Sequence, residues 1–438
     1  MKKLSFRGGL HVHDGKSLSK DKAIKELLPV GDMVYPLSQH IGAPATPIVA
    51  KGDTVLAGQK IAEAGGFISA CIHATVSGTV KGIEPRRVAT GDLINSIIVE
   101  NDGQYEEVEF IEPEPYEEMS REEVVERIKE AGIVGMGGAG FPTHVKASPK
   151  EPNLIEYVIV NCAECEPYLT SDYRRMIEEP EKLFEGLRIL LHIFPFAQGI
   201  IGIEDNKDDC IKKMQRVCRR DNRISVATLQ TKYPQGAERQ LIYATTKRAM
   251  HSAQLPTNIG CVVQNADTIV AIQQALQLGR PLMNRIVTIT GDAIANPCNF
   301  KVRIGTNCEE LIEAAGGFIK EPGKLISGGP MMGFSLFDLS IPATKTSSAL
   351  LCLVEDEVSK CEESSCINCG KCSQVCPSRI LPALLADCSN HNDEEQFVAC
   401  HGMECVECGC CSYVCPAKRG LTQSIKSMKK TQIAKRRK

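Results

Sequence analysis

The feature that most restricts the fold of this chain is a repeated run of cysteines. Residues 366–377 read CINCGKCSQVCP and residues 405–416 read CVECGCCSYVCP, so each follows C-x2-C-x2-C-x3-C-P. Three thiolates this close in sequence wrap one iron-sulfur cluster from a tight loop. The fourth, about a turn of helix later, points toward a neighbouring cluster. The spacing therefore predicts two 4Fe-4S clusters with crossed ligation. Cys366, Cys369, Cys372 and Cys415 would hold one; Cys405, Cys408, Cys411 and Cys376 would hold the other. Zinc also takes four thiolates, but its sites usually pair one C-x2-C with a second, distant pair. Cys361, Cys388, Cys400 and Cys410 fall off the pattern and read as spare thiols. Residues 352–425 thus read as a two-cluster domain, a one-electron wire.

The rest of the chain must place that wire. With 438 residues, several domains are expected. Its 51 basic and 54 acidic side chains nearly balance, there is no tryptophan, and aromatic residues are few, so nucleic acid is not expected as a partner. MKKLSFRGGLHV shows no signal-peptide pattern, and the twenty-one cysteines read as reduced thiols. The most apolar stretch, Leu187 to Ile203, is interrupted by Arg188, His192, Pro195 and Gln198. That is short of the roughly 20 apolar residues of a spanning helix, so any membrane contact is expected to be peripheral.

Pattern divides the chain into a multidomain α/β and α+β fold. Residues 1–103 alternate short β signals with Gly and Asp turns. The half-motif KGDTVLAGQ…SGTV resembles biotinyl and lipoyl carriers, which implies a barrel-sandwich-hybrid-like β domain. Its hairpin tip falls near Phe67–Ile68, where no carrier lysine stands, so a scaffold is expected. Residues 104–118 are acidic and read as an exposed linker. Ser120 and Glu123 then form a capping box before a helix with Val124, Val125 and Ile128 on one face. Residues 119–255 alternate strand and helix, with one long helix over roughly 172–192, and predict a Rossmann-like parallel sheet. Ligands of such sheets sit at the carboxyl ends of strands, here the loops from Asn161, Glu204 and Thr231. Residues 256–345 read as a β-grasp-like module, and residues 426–438 as a mobile basic tail.

GMGGAG, residues 135–140, matches G-x-G-x-x-G literally, yet a helical stretch precedes it and Phe141-Pro142 follows. The dinucleotide fingerprint needs a strand before and a helix after. What remains is a glycine turn that lets backbone N–H groups approach an anion or a planar ring.

Four segments carry a more specific resemblance. GMGGAGFPTHVK from Gly135, NCAECEP from Asn161, YPQGAERQL from Tyr233 and QNADT from Gln264 are similar, in order, to flavin-site segments of the NADH-binding flavoprotein subunit of respiratory complex I. The full arrangement resembles the C subunits of the Rnf complex, the membrane-bound, ion-pumping ferredoxin:NAD+ oxidoreductase of bacteria and archaea. The resemblance implies FMN, NAD(H) and two 4Fe-4S clusters as cofactors. It also implies that Gly135, Gly137, Gly138 and Gly140 line the flavin with Lys146 near its phosphate. Asn161, Glu164, Tyr233, Gly236 and Asn265 would contact the flavin. Phe141 would stack on the nicotinamide or adenine ring, and Glu166 and Glu238 would accept hydrogen bonds from the NADH ribose or amide. Ala163 and Ala237 depart from the acidic residues of the complex I pattern. Cys162 and Cys165 read as spacers, and His144 and Met331-Met332 as structural.

By the same resemblance, hydride is exchanged between NAD(H) and FMN, and single electrons between FMN and the clusters. The expected partners are other subunits of a membrane-bound electron-transport complex and, indirectly, ferredoxin or a ferredoxin-like subunit. The expected place is the cytoplasmic face of the membrane, peripherally bound. Two alternatives keep the clusters: a soluble NADH-dependent corrinoid reductase, and a non-enzymatic electron relay without a nucleotide site.

Overall fold

The computed structural model describes residues 3–110 and 113–436. A β-sandwich lies near the amino end. One antiparallel sheet runs in the order Met33–Pro36, Leu93–Asn101, Gly78–Arg87, Thr54–Val55, and a three-stranded sheet of Thr46–Pro47, Lys60–Glu63 and Ile72–His73 accompanies it. Side chains alternate across a strand, and Met33, Tyr35, Ile97 and Val99 use that alternation to fill a common core with Val55, Ile61 and Ile72.

Within the expected unit 1–103, the first residues pair outside the two sheets of the sandwich. Leu4 pairs with Leu229, Leu10 pairs with Tyr233, and Ile24–Leu27 adds a parallel strand beside Cys298–Arg303. These residues form a strap that satisfies its backbone on the edges of other domains' sheets. The segment read as an exposed acidic linker is packed as well. Ala57 donates to the Glu106 carbonyl at 2.8 Å, and Val108 donates to the Ala57 carbonyl at 2.9 Å. The Phe110 ring lies under the Arg280 guanidinium, and Tyr116 is buried. Residues 111–112 lie outside the described residues.

The α/β unit is a parallel sheet in the order Ile224–Leu229, Gln198–Glu204, Tyr157–Cys162, Cys261–Asn265. The capping box at Ser120 is present and starts the helix Arg121–Glu130, which buries Val124 and Ile128. The single helix expected over 172–192 is two, Ser171–Glu178 and Pro180–Ile193. Pro180 lacks the N–H that would continue the first helix but suits the opening turn of the second. The expected boundary at residue 256 also moves. Cys261–Asn265 pairs with Tyr157–Asn161, and the helix Ala266–Leu278 shares the large core of Pro180–Ile193. A strand buried on both faces cannot be detached from its sheet.

The next module starts at Asn284 and closes with Ala349–Leu353, beyond the expected end at 345. Its six-stranded mixed sheet runs Ile24–Leu27, Cys298–Arg303, Asn284–Thr290, Ala349–Leu353, Lys324–Ser327, Phe334–Leu336, with the helix Cys308–Ala314 contributing to the same core. The cysteine-rich domain packs short helices around Leu385, Phe397, Ile425 and Met428. The basic tail, expected to be mobile, is helical through Leu421–Arg436. Its Met428 packs in the core beside Ile425, the residue just before the tail, and its Lys429 binds the Cys405 carbonyl at 2.6 Å. Residues 437–438 lie outside the described residues. Among the described residues no helix is long and apolar enough to cross a membrane.

Candidate flavin and cluster site

The glycine loop projects between two fixed ends. Gly135 N–H donates to the Phe141 carbonyl at 2.8 Å, and Thr143 N–H to that of Ile133 at 3.0 Å. Beneath the loop Met136 N–H donates to Thr268 Oγ1 at 3.0 Å, and Arg285 reaches the Met136 carbonyl at 3.2 Å. Arg285 and Arg175 both bind the buried Asp267, at 2.6 and 2.8 Å. The two guanidinium groups hold the Asp267 carboxyl below its ordinary pKa despite burial. A rigid ionic floor therefore supports a loop made of glycine.

Above it opens a cavity of about 1800 Å³, well beyond the roughly 300–1,000 Å³ usual for one small ligand. Gly135, Gly137, Gly138, Gly140, Phe141, Lys146, Asn161, Gly236, Glu238 and Asn265 all line it. Asn161 and Asn265 stand at the carboxyl ends of adjacent parallel strands, where the sequence placed the ligand. Asn161 Nδ2 donates to the Gly236 carbonyl at 2.7 Å, and Lys146 Nζ bridges Glu238 Oε1 at 2.9 Å and the Val263 carbonyl at 3.2 Å. Around Gly138 a Cβ would meet no protein atom within 4 Å, whereas at Gly137 it would lie 2.9 Å from Asn265 Cβ. Gln264 also lines the cavity, and both polar atoms of its amide are buried with no protein partner; so is Gln240 Oε1. An open glycine turn, a lysine and unpaired buried amides fit a polar, planar, phosphorylated ligand such as FMN.

Three expected contact residues lie elsewhere. Glu164, at φ 47°, accepts from the N–H groups of Asp172 at 2.8 Å and Tyr173 at 3.3 Å, fixing the start of a helix. Glu166 Oε1 accepts from Met331 N–H at 2.7 Å and Met332 N–H at 3.1 Å, which ties the 161–167 loop to the neighbouring module. Tyr233 is buried and donates its hydroxyl to the Cys408 carbonyl at 2.7 Å.

Sequence reasoning missed two buried lysines behind that loop. Lys16 Nζ donates to the carbonyls of Glu166 at 3.0 Å and Leu169 at 2.5 Å. Lys207 Nζ donates to the Ala163 carbonyl at 2.7 Å, so the position lacking the expected aspartate is held through its backbone. Lysines are usually solvated, and no local pattern marks these two. Asp172 was missed too: it accepts from Asn265 Nδ2 at 3.0 Å, and burial beside Glu164 and Asp267 pushes its carboxyl up.

Cys376, Cys405, Cys408 and Cys411, together with the off-pattern Cys410, line one small common cavity; the first four are the grouping that crossed ligation requires. Cys372 and Cys415 pack on a shared patch with Ala386, Leu421 and Cys411, while Cys366 and Cys369 are exposed. Among the described residues no three such side chains converge tightly enough for a single ion. A four-iron cluster takes one thiolate per iron, so its ligands stand farther apart than those of one ion. Val406, between two of these cysteines, also lines the large cavity together with Met332. Tyr233, Cys165, Met331, Cys408 and the buried Cys410 share one apolar seam.

Comparison with known proteins finds the same four kinds of domain in the same order. The family model for the Nuo51 FMN-binding domain matches residues 128–274, and that for the RnfC barrel sandwich hybrid domain matches residues 4–104. An SLBB domain model matches residues 286–335 and a 4Fe-4S binding domain model residues 362–381. The C subunit of the Na(+)-translocating ferredoxin:NAD(+) oxidoreductase complex of Acetobacterium woodii is 44% identical over 99% of this chain and 98% of its own length. The proton-translocating counterpart of Clostridium ljungdahlii is 45% identical over 87% and 84%. Among solved structures, an NAD+-reducing [NiFe]-hydrogenase in the H2-reduced state aligns with a TM-score of 0.50 at 15% identity. That match covers 73% of this chain and 62% of the other, a likeness of fold alone.

Proposed function

The chain belongs to the family of C subunits of ion-translocating ferredoxin:NAD(+) oxidoreductase complexes, the Rnf complexes, and from that premise we propose that its large cavity is where NAD(H) meets FMN. It is an electron-transfer flavin iron-sulfur protein whose cofactors are FMN, NAD(H) and 4Fe-4S clusters and whose partners are the other members of the complex. FMN supplies, when bound, the conversion between two-electron hydride chemistry and one-electron transfer.

The protein's own task is placement. The turn Gly137–Gly138 leaves room for a ring or phosphate to approach the backbone. Lys146, steadied by Glu238, offers charge to a phosphate. Asn161, Gly236 and Asn265 complete the polar wall. The observation that carries the reading is the wall shared by Val406 and Met332, with Tyr233 bonded to the Cys408 carbonyl. On this reading a cluster held by Cys405, Cys408, Cys411 and Cys376 would stand beside the cavity. The exposed loop with Cys366 and Cys369 becomes the outer end of the wire, open to a partner protein. As a member of a membrane complex whose described residues include no helix long and apolar enough to cross a membrane, the chain is read as peripherally bound, and the cytoplasmic face is part of this proposal. A bare relay would have no use for a cavity of this size and polarity.

The test is anaerobic addition of NADH to the iron-reconstituted chain loaded with FMN, followed through the flavin absorption bands. Rapid bleaching that is lost in Gly138→Ala is expected. Absence of bleaching with FMN bound and clusters filled would overturn the NADH assignment.

A further inference from the structure

The sandwich hairpin whose tip would carry a swinging cofactor in a carrier domain carries Phe67–Ile68 here and no lysine. Its tip reaches the rim of the large cavity, and Phe67 lines that cavity while remaining 72% exposed. Phe67 and Phe141 are the two aromatic residues among those lining it. We propose that Phe67 is a nucleotide-binding residue, presenting its ring from the sandwich to a planar ring of NAD(H); this rests on the reading of the cavity given above.

The tip is clamped. Ala43 N–H donates to the Ile68 carbonyl at 2.9 Å, Gly65 N–H to Ser69 Oγ at 3.0 Å, and Ala70 N–H to His40 Nε2 at 3.0 Å. A Cβ on Gly42, at φ +114°, would lie 2.0 Å from the Ile68 carbonyl oxygen, and one on Gly65 would lie 2.1 Å from that of Pro44. Backbone therefore meets backbone on both sides of the tip. The Phe67 carbonyl is 3.2 Å from Nε2 of the buried His144, whose ring meets the Phe67 ring edge-on at 6.5 Å. His144 sits on the short helix Thr143–Lys146 directly after the glycine loop, so the tip is referenced to the ligand cradle itself. A carrier tip must swing; the backbone of this one is pinned, with an apolar ring presented at the cavity rim.

Single exposed apolar residues are common and need no explanation. Phe67 differs because it faces the cavity, on a backbone that cannot retract. Nicotinamide and adenine are both planar rings, and either would cover it in an offset or edge-to-face contact.

The test uses the FMN-loaded, reconstituted full chain. Phe67→Ala is expected to raise the KM for NADH about 3- to 10-fold, the range of an aromatic contact, with FMN content and turnover at saturating NADH retained. Phe67→Tyr should keep the wild-type KM. Reduced nicotinamide mononucleotide as donor and ADP-ribose as competitor separate the two rings: the fragment whose binding weakens in Phe67→Ala names the one covered. An unchanged KM, or loss of FMN instead of NADH affinity, would overturn the role of Phe67. Failure of the wild type to bleach with NADH would overturn the reading of the cavity instead.

Discussion

Gly138 and Gly140 show what one missing Cβ does in two settings. At Gly138 the added carbon would enter open space, so only a ligand would feel it. Gly138→Ala is therefore expected to leave the thermal midpoint within about 1 °C while weakening FMN about tenfold or more, roughly 1.4 kcal/mol; calorimetry and flavin titration check both. Gly140 adopts φ +71°, and its Cβ would press on Gln39 and Thr346 at 3.0 Å. Gly140→Ala should destabilise the fold by about 1 kcal/mol before any effect on binding. The sequence displayed three glycines in register but not which served backbone, packing or ligand, because that depends on what lies opposite.

Lys345 is invisible in sequence for the same reason. Its Nζ is fully buried, donating to the carbonyls of Cys71 at 2.5 Å and Gly132 at 2.7 Å, and burial lowers its pKa to about 7. The unfolded chain keeps that proton up to about pH 10.4. Between these values the unfolded state binds more protons, so the Lys345 contribution to stability rises with pH by up to about 1.4 kcal/mol per unit. Replacing Lys345 by Met should remove that rise. Denaturation midpoints at about pH 7 and about pH 9 would then differ more in the wild type than in the variant.

At the scale of elements, local signals were the most legible. The Ser120 capping box starts its helix as written, with Ser120 N–H donating to Glu123 Oε2 at 2.7 Å. Ser120→Ala should cost about 1 kcal/mol, measured as a shift in the denaturant midpoint. Most strands and helices between 157 and 327 followed the periodicity of the sequence, whereas the helix Glu238–Thr246, the strand Cys261–Asn265, the break at Pro180 and the long terminal helix did not. The tail was misread because composition spoke for solvent, while Met428 stands three residues after the core residue Ile425 and buries the same face. The cysteine loops yield a sharper expectation. Cys376→Ser and Cys408→Ser should remove the same cluster signal in electron paramagnetic resonance, and Cys366→Ser and Cys415→Ser the other. Pairing within each sequence run instead would sink the crossed assignment.

At the scale of the molecule, the strap does what no domain does alone. Leu4 and Leu10 pair with the α/β unit, Gly9 N–H donates to the Val375 carbonyl at 2.7 Å beside the cluster cysteines, and Ile24–Leu27 extends the mixed sheet. Removing the residues before Ile24 should split thermal unfolding into separate transitions and expose the cysteine-rich domain to limited proteolysis. A single unchanged transition would show that the strap is dispensable.

The sequence by itself determined the paired cysteine runs of the cluster domain, the glycine cradle and the alternation that builds a parallel sheet. These are statements about short spacings, and a spacing fixes which side chains share a loop or a face. Only tertiary structure decided that Glu166 holds Met331 and Met332, that Lys16 and Lys207 stand behind the loop at 161–167, and that Phe67 faces the cavity from another domain. Each of those contacts joins residues far apart in the chain. A local pattern says that a group must find a partner or a ligand, but which one it meets is settled by how separately folded faces pack.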